Sequence, residues 1–302
     1  MISFNLVRAG SLEAALDFLA ENGEDSKIIA GGTDLLVELR GLAPGEKGPA
    51  NVLDISAIAE IKGIEDDGTT ITVGAGTTHR EIHTSPVIRE QAPLLAAACS
   101  TVGAAQHRNI ATIGGNIMNA SPAADSVPAL VALDAEAVFR SKKGERVVPL
   151  KDIYVKPYQT NAGDDEMLTA VRFRRLPPGA RSAFIKLGRR NALAISRMNV
   201  AVILVLNGDA IVEARISPGS TTPMPERITA AEKLLIGKKP SEELFRQAGE
   251  AVSGEMIARS GIRWSTPYKK PVIEALTARA LKEAWKSREQ QGAAGMSREQ
   301  RG

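Results

Sequence analysis

Two stretches of this chain put paired glycines beside small polar residues, a combination that lets backbone come close to an anion or a sugar. The first is Ala30-Gly31-Gly32-Thr33-Asp34, preceded by Ile28 and Ile29 and followed by Leu35, Leu36 and Leu39. It has the pattern of a strand, a tight turn and the first turns of a helix. Glycine there can serve plain turn chemistry through φ > 0, or it can leave free N–H groups at a helix entry to hold a phosphate. Asp34 is expected to cap the helix, leaving the amides to face a ligand. The second stretch, "TIGGN", runs from Thr112 to Asn116. Its hydroxyl and amide can bond a phosphate or sugar without adding negative charge. Asp125 follows at a helix entry, either as an N-cap or as an acceptor for a sugar hydroxyl. Asp54 ends a strand about twenty residues after the first turn, where a dinucleotide fold keeps its ribose-reading acid. Neither that turn nor "VGAGTTH" has the GxGxxG spacing, which argues against such a fold. Two glycine turns in separate units predict a long cofactor gripped at two points.

Other chemistry-bearing residues carry less. His79 and His83 in "HREIH" would share one helix face, but Arg80 stands where the HExxH zinc motif needs glutamate, so a surface helix without metal is expected. His107, just before the second turn, reads as structural. Cys99 is the only cysteine; no internal disulfide and no Cys-ligated iron–sulfur cluster can be built by this chain alone. The pairs Arg174-Arg175 and Arg189-Arg190 read as solvated faces.

These motifs must be held by elements that the pattern predicts. The 302 residues are 43% hydrophobic and 24% charged with net charge +3, a globular composition with no electrostatic case for nucleic acid. No apolar run approaches the ~20 residues of a membrane span, and no secretion signal opens the chain; a reducing cytoplasm is the expected location. "SLEAALDFLAEN" has helical apolar spacing with Ser11 as N-cap. With the strands at residues 2–8, "KIIA" and "NVLDI" and the helix after Gly32, it makes a parallel β-α-β-α-β unit. From about residue 60 a hairpin over Asp66-Asp67-Gly68 is expected, then one helix through "TSPVIREQAPLLAAACSTVG" entered at Ser85-Pro86. Strands "AEAVFRS", "ERVVPL" and "MLTAVRFRR" lead to a Pro177-Pro178-Gly179 linker. Beyond it three consecutive strands and three helices predict an antiparallel sheet with helices. After residue 289 the polar tail is expected to be disordered.

"IIAGGTDLL", "TIGGNIMNASPAAD" and "AFIKLGRRNALAISRMNVAV" together resemble the FAD-binding (medium) subunit of the molybdenum hydroxylases, similar to the carbon monoxide dehydrogenase medium chain and the xanthine dehydrogenase flavin segment. The resemblance runs in order to about residue 285. It implies an α+β protein: a two-part FAD-binding domain of the vanillyl-alcohol-oxidase type over residues 1–175 (parts about 1–58 and 59–175), a smaller α+β domain over 176–288, and a tail over 289–302. By resemblance Ile29, Ala30, Gly31, Gly32, Thr33, Asp34 and Leu35 wrap the diphosphate of a non-covalent FAD. Thr112, Gly114, Gly115 and Asn116 hold its phosphate and ribityl region from the other side. Asp125 accepts from a cofactor hydroxyl, Leu168 packs near the ring, and Lys186 reaches the polar edge of the flavin. Where animal relatives carry a stacking aromatic before the second turn, this chain has Val102.

The implied role is electron transfer. Molybdopterin would sit on a large partner subunit and 2Fe–2S clusters on a small one, in a dimer of heterotrimers, with electrons leaving through FAD to an external acceptor. NAD, a quinone, a cytochrome and oxygen all remain open as acceptor, as does the substrate. A branch with a Cys-rich 4Fe–4S insertion is excluded by the single cysteine. The alternatives are a self-sufficient flavin oxidase or dehydrogenase on the same fold, and a non-catalytic FAD-binding assembly factor.

Overall fold

A computed structural model describes residues 3–43, 45–190 and 193–299, with side chains through residue 287. The chain opens with strand β1 (Asn5–Arg8), helix α1 (Leu12–Asn22), β2 (Ser26–Ile29), α2 (Leu35–Gly41) and β3 (Asn51–Asp54). The three strands pair in parallel in the order β1-β3-β2, the expected β-α-β-α-β unit. The Ser11 hydroxyl caps α1 by accepting from the Ala14 N–H, and Ala15, Leu16 and Leu19 turn inward onto Leu53, Ile58 and Ile61. Asp54 is spoken for within the fold: it accepts from Arg8 Nε at 3.0 Å and from the Ser56 N–H at 2.9 Å.

The middle unit follows with β4 (Ile64–Asp66), β5 (Thr70–Gly74), α3 (His79–Thr84), α4 (Pro86–Gln91), α5 (Pro93–Ser100), α6 (Ala105–Arg108), α7 (Ile113–Met118) and α8 (Ser126–Ala132). Strands β6 (Glu136–Ser141), β7 (Gly144–Pro149), β8 (Tyr154–Lys156), β9 (Gln159–Thr160) and β10 (Met167–Arg174) complete it. The main sheet is antiparallel in the order β4-β5-β10-β6-β7. The predicted single helix after Ser85 is two helices. Pro93 lacks an N–H and disfavours helical geometry at the residue before it, and Ala92 sits at φ −146°, ψ 58°. The break turns α5 inward, so that Leu94, Leu95, Ala98 and Cys99 enter the core.

The third unit is an antiparallel sheet of β11 (Arg181–Leu187), β12 (Met198–Asn207) and β13 (Ala210–Gly219), with α9 (Thr229–Leu235), α10 (Glu242–Ser260) and α11 (Thr266–Glu299). Helix α11 carries past residue 289, where the polar tail was expected to begin; residues 300–302 lie outside the described residues. Strand β12 explains how this unit is fixed. Successive side chains point to opposite faces, and here both faces are covered: Val200, Val202 and Leu204 join the C-terminal core, while Ala201 and Ile203 join the core of the middle unit. Each large apolar side chain so buried contributes about 1.5–3 kcal/mol. Helices α5 and α8 also pack on this sheet, which fixes where β11 presents Lys186.

Candidate functional site

The fold brings the two glycine stretches against each other; the second, expected as a turn, is the first turn of helix α7, capped by Thr112. A Cβ built on Gly31 would lie 2.6 Å from the Ile110 carbonyl carbon, closer still to its oxygen, and 3.0 Å from Ala111 Cα. Gly31 is therefore the glycine of close approach between the turns. Gly32 has the other role, at φ +70°, where only glycine sits without strain. Asp34 occupies the N-cap position of α2 but makes no capping bond. Its Oδ1 accepts from Asn119 Nδ2 at 3.1 Å instead, tying the first turn to the end of α7. The expected cap is thus a bridge from the first turn to α7, because Asn119 at the end of that helix lies within reach.

The turns differ in what they offer a ligand. Among the described residues no hydrogen bond within the protein uses the N–H groups of Gly31, Gly32, Thr33, Asp34 or Leu35. In the second turn the amides are consumed: Ile113 donates to the Thr77 carbonyl at 2.9 Å, Gly114 to that of Ala75 at 2.8 Å, and Asn116 to that of Thr112 at 3.0 Å. Gly115 donates to Thr112 Oγ1 at 3.1 Å, the N-cap bond of α7. What remains there is the Thr112 N–H, the Thr112 hydroxyl proton and the Asn116 amide nitrogen, since Ser126 donates to Asn116 Oδ1 at 2.6 Å. Gly114 is a packing glycine, because a Cβ on it would stand 2.7 Å from Ala75 Cβ. A Cβ on Gly115 would meet, among the described residues outside its own helix backbone, Thr112 Oγ1 alone, at 3.1 Å, so there is room at that position.

Leu168 stands beside this turn at an irregularity. Register between β10 and β6 slips between Leu168 and Ala170; such a bulge bends the strand. The extra residue, Thr169, donates from its hydroxyl to the Val138 carbonyl and accepts from the Ala75 N–H at 2.9 Å. Ala75 thus links the bulge to Gly114. Leu168 itself is buried in the middle core, and Ile29 and Ala30 are half-buried at the first turn.

Asp125 and Lys186 meet each other. Lys186 Nζ lies 2.5 Å from Asp125 Oδ2 and donates to the Thr101 carbonyl at 2.9 Å. Asp125 also accepts from Ser196 Oγ at 2.5 Å and from Asn199 Nδ2 at 3.2 Å. Asp125 occupies an N-cap position without a capping bond. Burial pushes its carboxyl above the ordinary carboxylate range, while Lys186, Ser196 and Asn199 pull it back down. The pair fastens the middle unit to the third sheet. Ser196, Asn199, Thr101 and Asn119 were not singled out from sequence, although polar Ser196 and Asn199 flanking a long apolar strand were a usable signal.

Of the histidines, His83 Nδ1 lies 3.1 Å from the Ala96 carbonyl. His79 is not on a surface helix: it is fully buried, with Nδ1 3.4 Å from Cys99 Sγ and Nε2 without a hydrogen-bond partner. The α3 face on which it lies is covered by α5. No group of His, Cys, Asp and Glu that could hold a metal occurs among the described residues. Burial, reinforced by the charge of Arg108, pulls the His79 pKa from 6.5 to about 4, while burial pushes the Cys99 thiol up. The folded state therefore refuses a proton that the unfolded chain takes. Stability tied to His79 is complete above pH 6.5 and drains as pH falls towards about 4. At about 1.4 kcal/mol per pKa unit the loss is about 3 kcal/mol. Urea denaturation at pH 7 and pH 4.5 should show a steeper acid loss for the natural chain than for His79→Gln; equal slopes would contradict the assignment.

Comparison with known proteins agrees with this architecture. The family profile described as the FAD binding domain in molybdopterin dehydrogenase matches residues 2–175, and that of the CO dehydrogenase flavoprotein C-terminal domain matches residues 182–284. The glyceraldehyde dehydrogenase medium chain of Sulfolobus acidocaldarius is 32% identical over 282 residues, covering 93% of this chain and 98% of that one. The xanthine dehydrogenase FAD-binding subunit of Escherichia coli O157:H7 is 30% identical over 283 residues, covering 92% and 94%. Among solved structures, carbon monoxide dehydrogenase from Hydrogenophaga pseudoflava, in a form lacking the Mo-pyranopterin moiety of its molybdenum cofactor, superposes with a TM-score of 0.86 at 29% identity, over 94% of this chain and 99% of that one. No described helix is long and apolar enough to cross a membrane.

Proposed function

Because this chain belongs to the family of FAD-binding medium subunits of carbon monoxide and xanthine dehydrogenase-type enzymes, we propose that it is the electron-exit subunit of a cytoplasmic molybdenum hydroxylase. In this reading a large subunit holds molybdopterin, a small one holds 2Fe–2S clusters, and the assembly is a dimer of heterotrimers. The observation that carries it is the meeting of the two glycine turns, with free N–H groups on the first and neutral polar groups on the second. When bound, FAD supplies the exchange between one-electron and two-electron transfer.

The residues present fit that cofactor. The N–H groups of residues 31–35 have no partner within the protein among the described residues, and Asn119 holds the Asp34 carboxylate through Oδ1, so these amides are the donors the first turn offers a diphosphate. The Thr112 hydroxyl and the Asn116 amide nitrogen are the donors left for the ribityl region. Gly115, with room at its Cβ position, permits close approach. Leu168 supplies an apolar wall. Lys186, held by Asp125 and the Thr101 carbonyl, would turn the cationic end of this ion pair, rather than a free positive charge, towards the ring.

The test is to purify the chain alone and together with its partners. Alone it should carry non-covalent FAD, leaving a colourless pellet and a yellow supernatant on acid precipitation, with no iron–sulfur absorbance. It should stay oxidised under anaerobic conditions with aromatic, purine or carbon monoxide substrates, and bleach when the partners are added with the right one. Rapid bleaching by an organic substrate without partners would show a self-sufficient flavoenzyme instead. No bleaching with partners and any donor would leave an FAD-binding assembly factor.

A further inference from the structure

One corner of the third unit gathers cations that no carboxylate among the described residues answers. Lys269 Nζ donates to the Ser220 carbonyl at 2.7 Å. Ser260 Oγ donates to the next carbonyl, that of Thr221, at 3.1 Å, and Arg263 Nε donates to the Ser260 carbonyl at 3.0 Å. Ser220 Oγ lies 3.4 Å from the Ser196 carbonyl, and the guanidinium of the next residue, Arg197, lies 5.4 Å from the centre of the Tyr268 ring. These contacts close a circuit through residues 196–197, 220–221, 260–263 and 268–269. Among the described residues none of Arg197, Arg263 and Lys269 forms an ion pair. Their neighbours Arg259 and Lys270 do pair with carboxylates, so acids are present on this surface but not at these three side chains.

The arrangement carries a cost. Lys269 is half-buried, and its pKa is lowered first by burial and then by the charges of Arg263 and Arg197. Ser220, whose carbonyl holds Lys269, sits at φ +60°, a left-handed conformation uncommon for serine. Like charges brought together around a strained backbone corner are what an anion would relieve. Tyr268, the ring beneath Arg197, is 45% exposed, and Trp264, next along the chain from Arg263, is 94% exposed. Position matters too. Ser196, part of the circuit, donates through Oγ to Asp125 Oδ1 at 2.5 Å, so the cluster adjoins the Asp125–Lys186 pair.

We infer that Arg197, Arg263 and Lys269 form an anion site for the diphosphate of a nucleotide, with the nearby aromatic faces available to its base. The assignment of that nucleotide as the external electron acceptor rests on the proposed function; the anion site itself does not. A diphosphate brings multiple negative charges and several acceptor oxygens to groups that have donors to spare. An uncharged quinone would leave the cluster unanswered.

The experiment uses the full chain loaded with FAD, so that the cofactor cleft is filled. Inorganic pyrophosphate is titrated by calorimetry, followed by ADP, and flavin bleaching is then followed against NADH concentration. Lys269→Gln and Arg263→Gln should each weaken pyrophosphate and ADP binding by about tenfold or more, with FAD content unchanged in both and melting temperature unchanged in Arg263→Gln. Arg263 is exposed, which keeps that variant a fair test if Lys269→Gln folds poorly. The NADH concentration for half-maximal bleaching should rise by a similar factor while the limiting rate holds. Failure of pyrophosphate to bind, or equal binding by all three proteins, overturns the site. Weakened pyrophosphate binding with an unchanged NADH dependence overturns the acceptor assignment. A chain that keeps no FAD overturns the proposed function, and variant-sensitive pyrophosphate binding by that same chain would still uphold the anion site.

Discussion

Replacing Gly31 with valine should empty the chain of FAD and destabilise its N-terminal part by about 4 kcal/mol or more, the range reserved for substitutions with a specific structural cause. The cause is backbone against backbone. The added Cβ would lie 2.6 Å from the Ile110 carbonyl carbon and 3.0 Å from Ala111 Cα, and neither is a flexible side-chain tip that could move aside. The turns must part, and parting them strains the Asp34–Asn119 bond that joins them. Gly114→Val should behave similarly through Ala75, which would stand 2.7 Å from the new Cβ. Gly115→Ala is the informative contrast. Its Cβ meets only Thr112 Oγ1, at 3.1 Å, so stability should change by about 1 kcal/mol or less while FAD retention still falls. Flavin content after gel filtration and two-step thermal melts would report both effects. A Gly31→Val chain that keeps its flavin and its melting profile would falsify the paired-turn site.

The contrast among these glycines marks how far sequence alone could reach. "AGGTD" announced a turn, and it is there; "TIGGN" is instead the capped start of α7, with both of its glycines helical. Which glycine does what was hidden, because it depends on a neighbour far along the chain. Gly31 is required by Ile110, Gly114 by Ala75, and Gly32 by its own φ of +70°. The parallel first unit was legible because its apolar spacing is local, and so was the hairpin at Asp66-Asp67-Gly68. The helix break at Ala92 was legible in principle, since Pro93 was in view. His79 was misjudged because residues four apart on a short helix look equally exposed until α5 is laid over one of them; His79 is buried against Cys99 while His83 is only half-buried. Likewise Lys186 and Asp125 were both singled out, but their pairing needed β12 to be buried on both faces, a fact of packing that period-two patterning cannot supply.

Lys186→Met should destabilise the junction between the middle and C-terminal units by about 3–5 kcal/mol, the usual cost of removing one partner from a buried ion pair. Only 10% of the Lys186 side chain and 7% of the Asp125 side chain are exposed, so water cannot replace the lost ammonium. Ser196 and Asn199 still donate to Asp125, but neutral donors do not cancel its charge. The sign of the pH response follows. The Asp125 carboxyl already sits above its ordinary 3.8, and without Lys186 it should rise further. A group whose folded pKa is raised favours the folded state at low pH, and that contribution is lost as pH rises through the folded value. The deficit of Lys186→Met relative to the natural chain should therefore be largest at neutral pH and shrink on acidification, as Asp125 takes up a proton. Adding Asp125→Asn removes the stranded charge, so the double variant should be more stable at pH 7 than Lys186→Met alone. A double-mutant cycle by urea denaturation measures this coupling directly. Purely additive effects at neutral pH, with no narrowing of the deficit in acid, would mean that the pair does not hold the two units together.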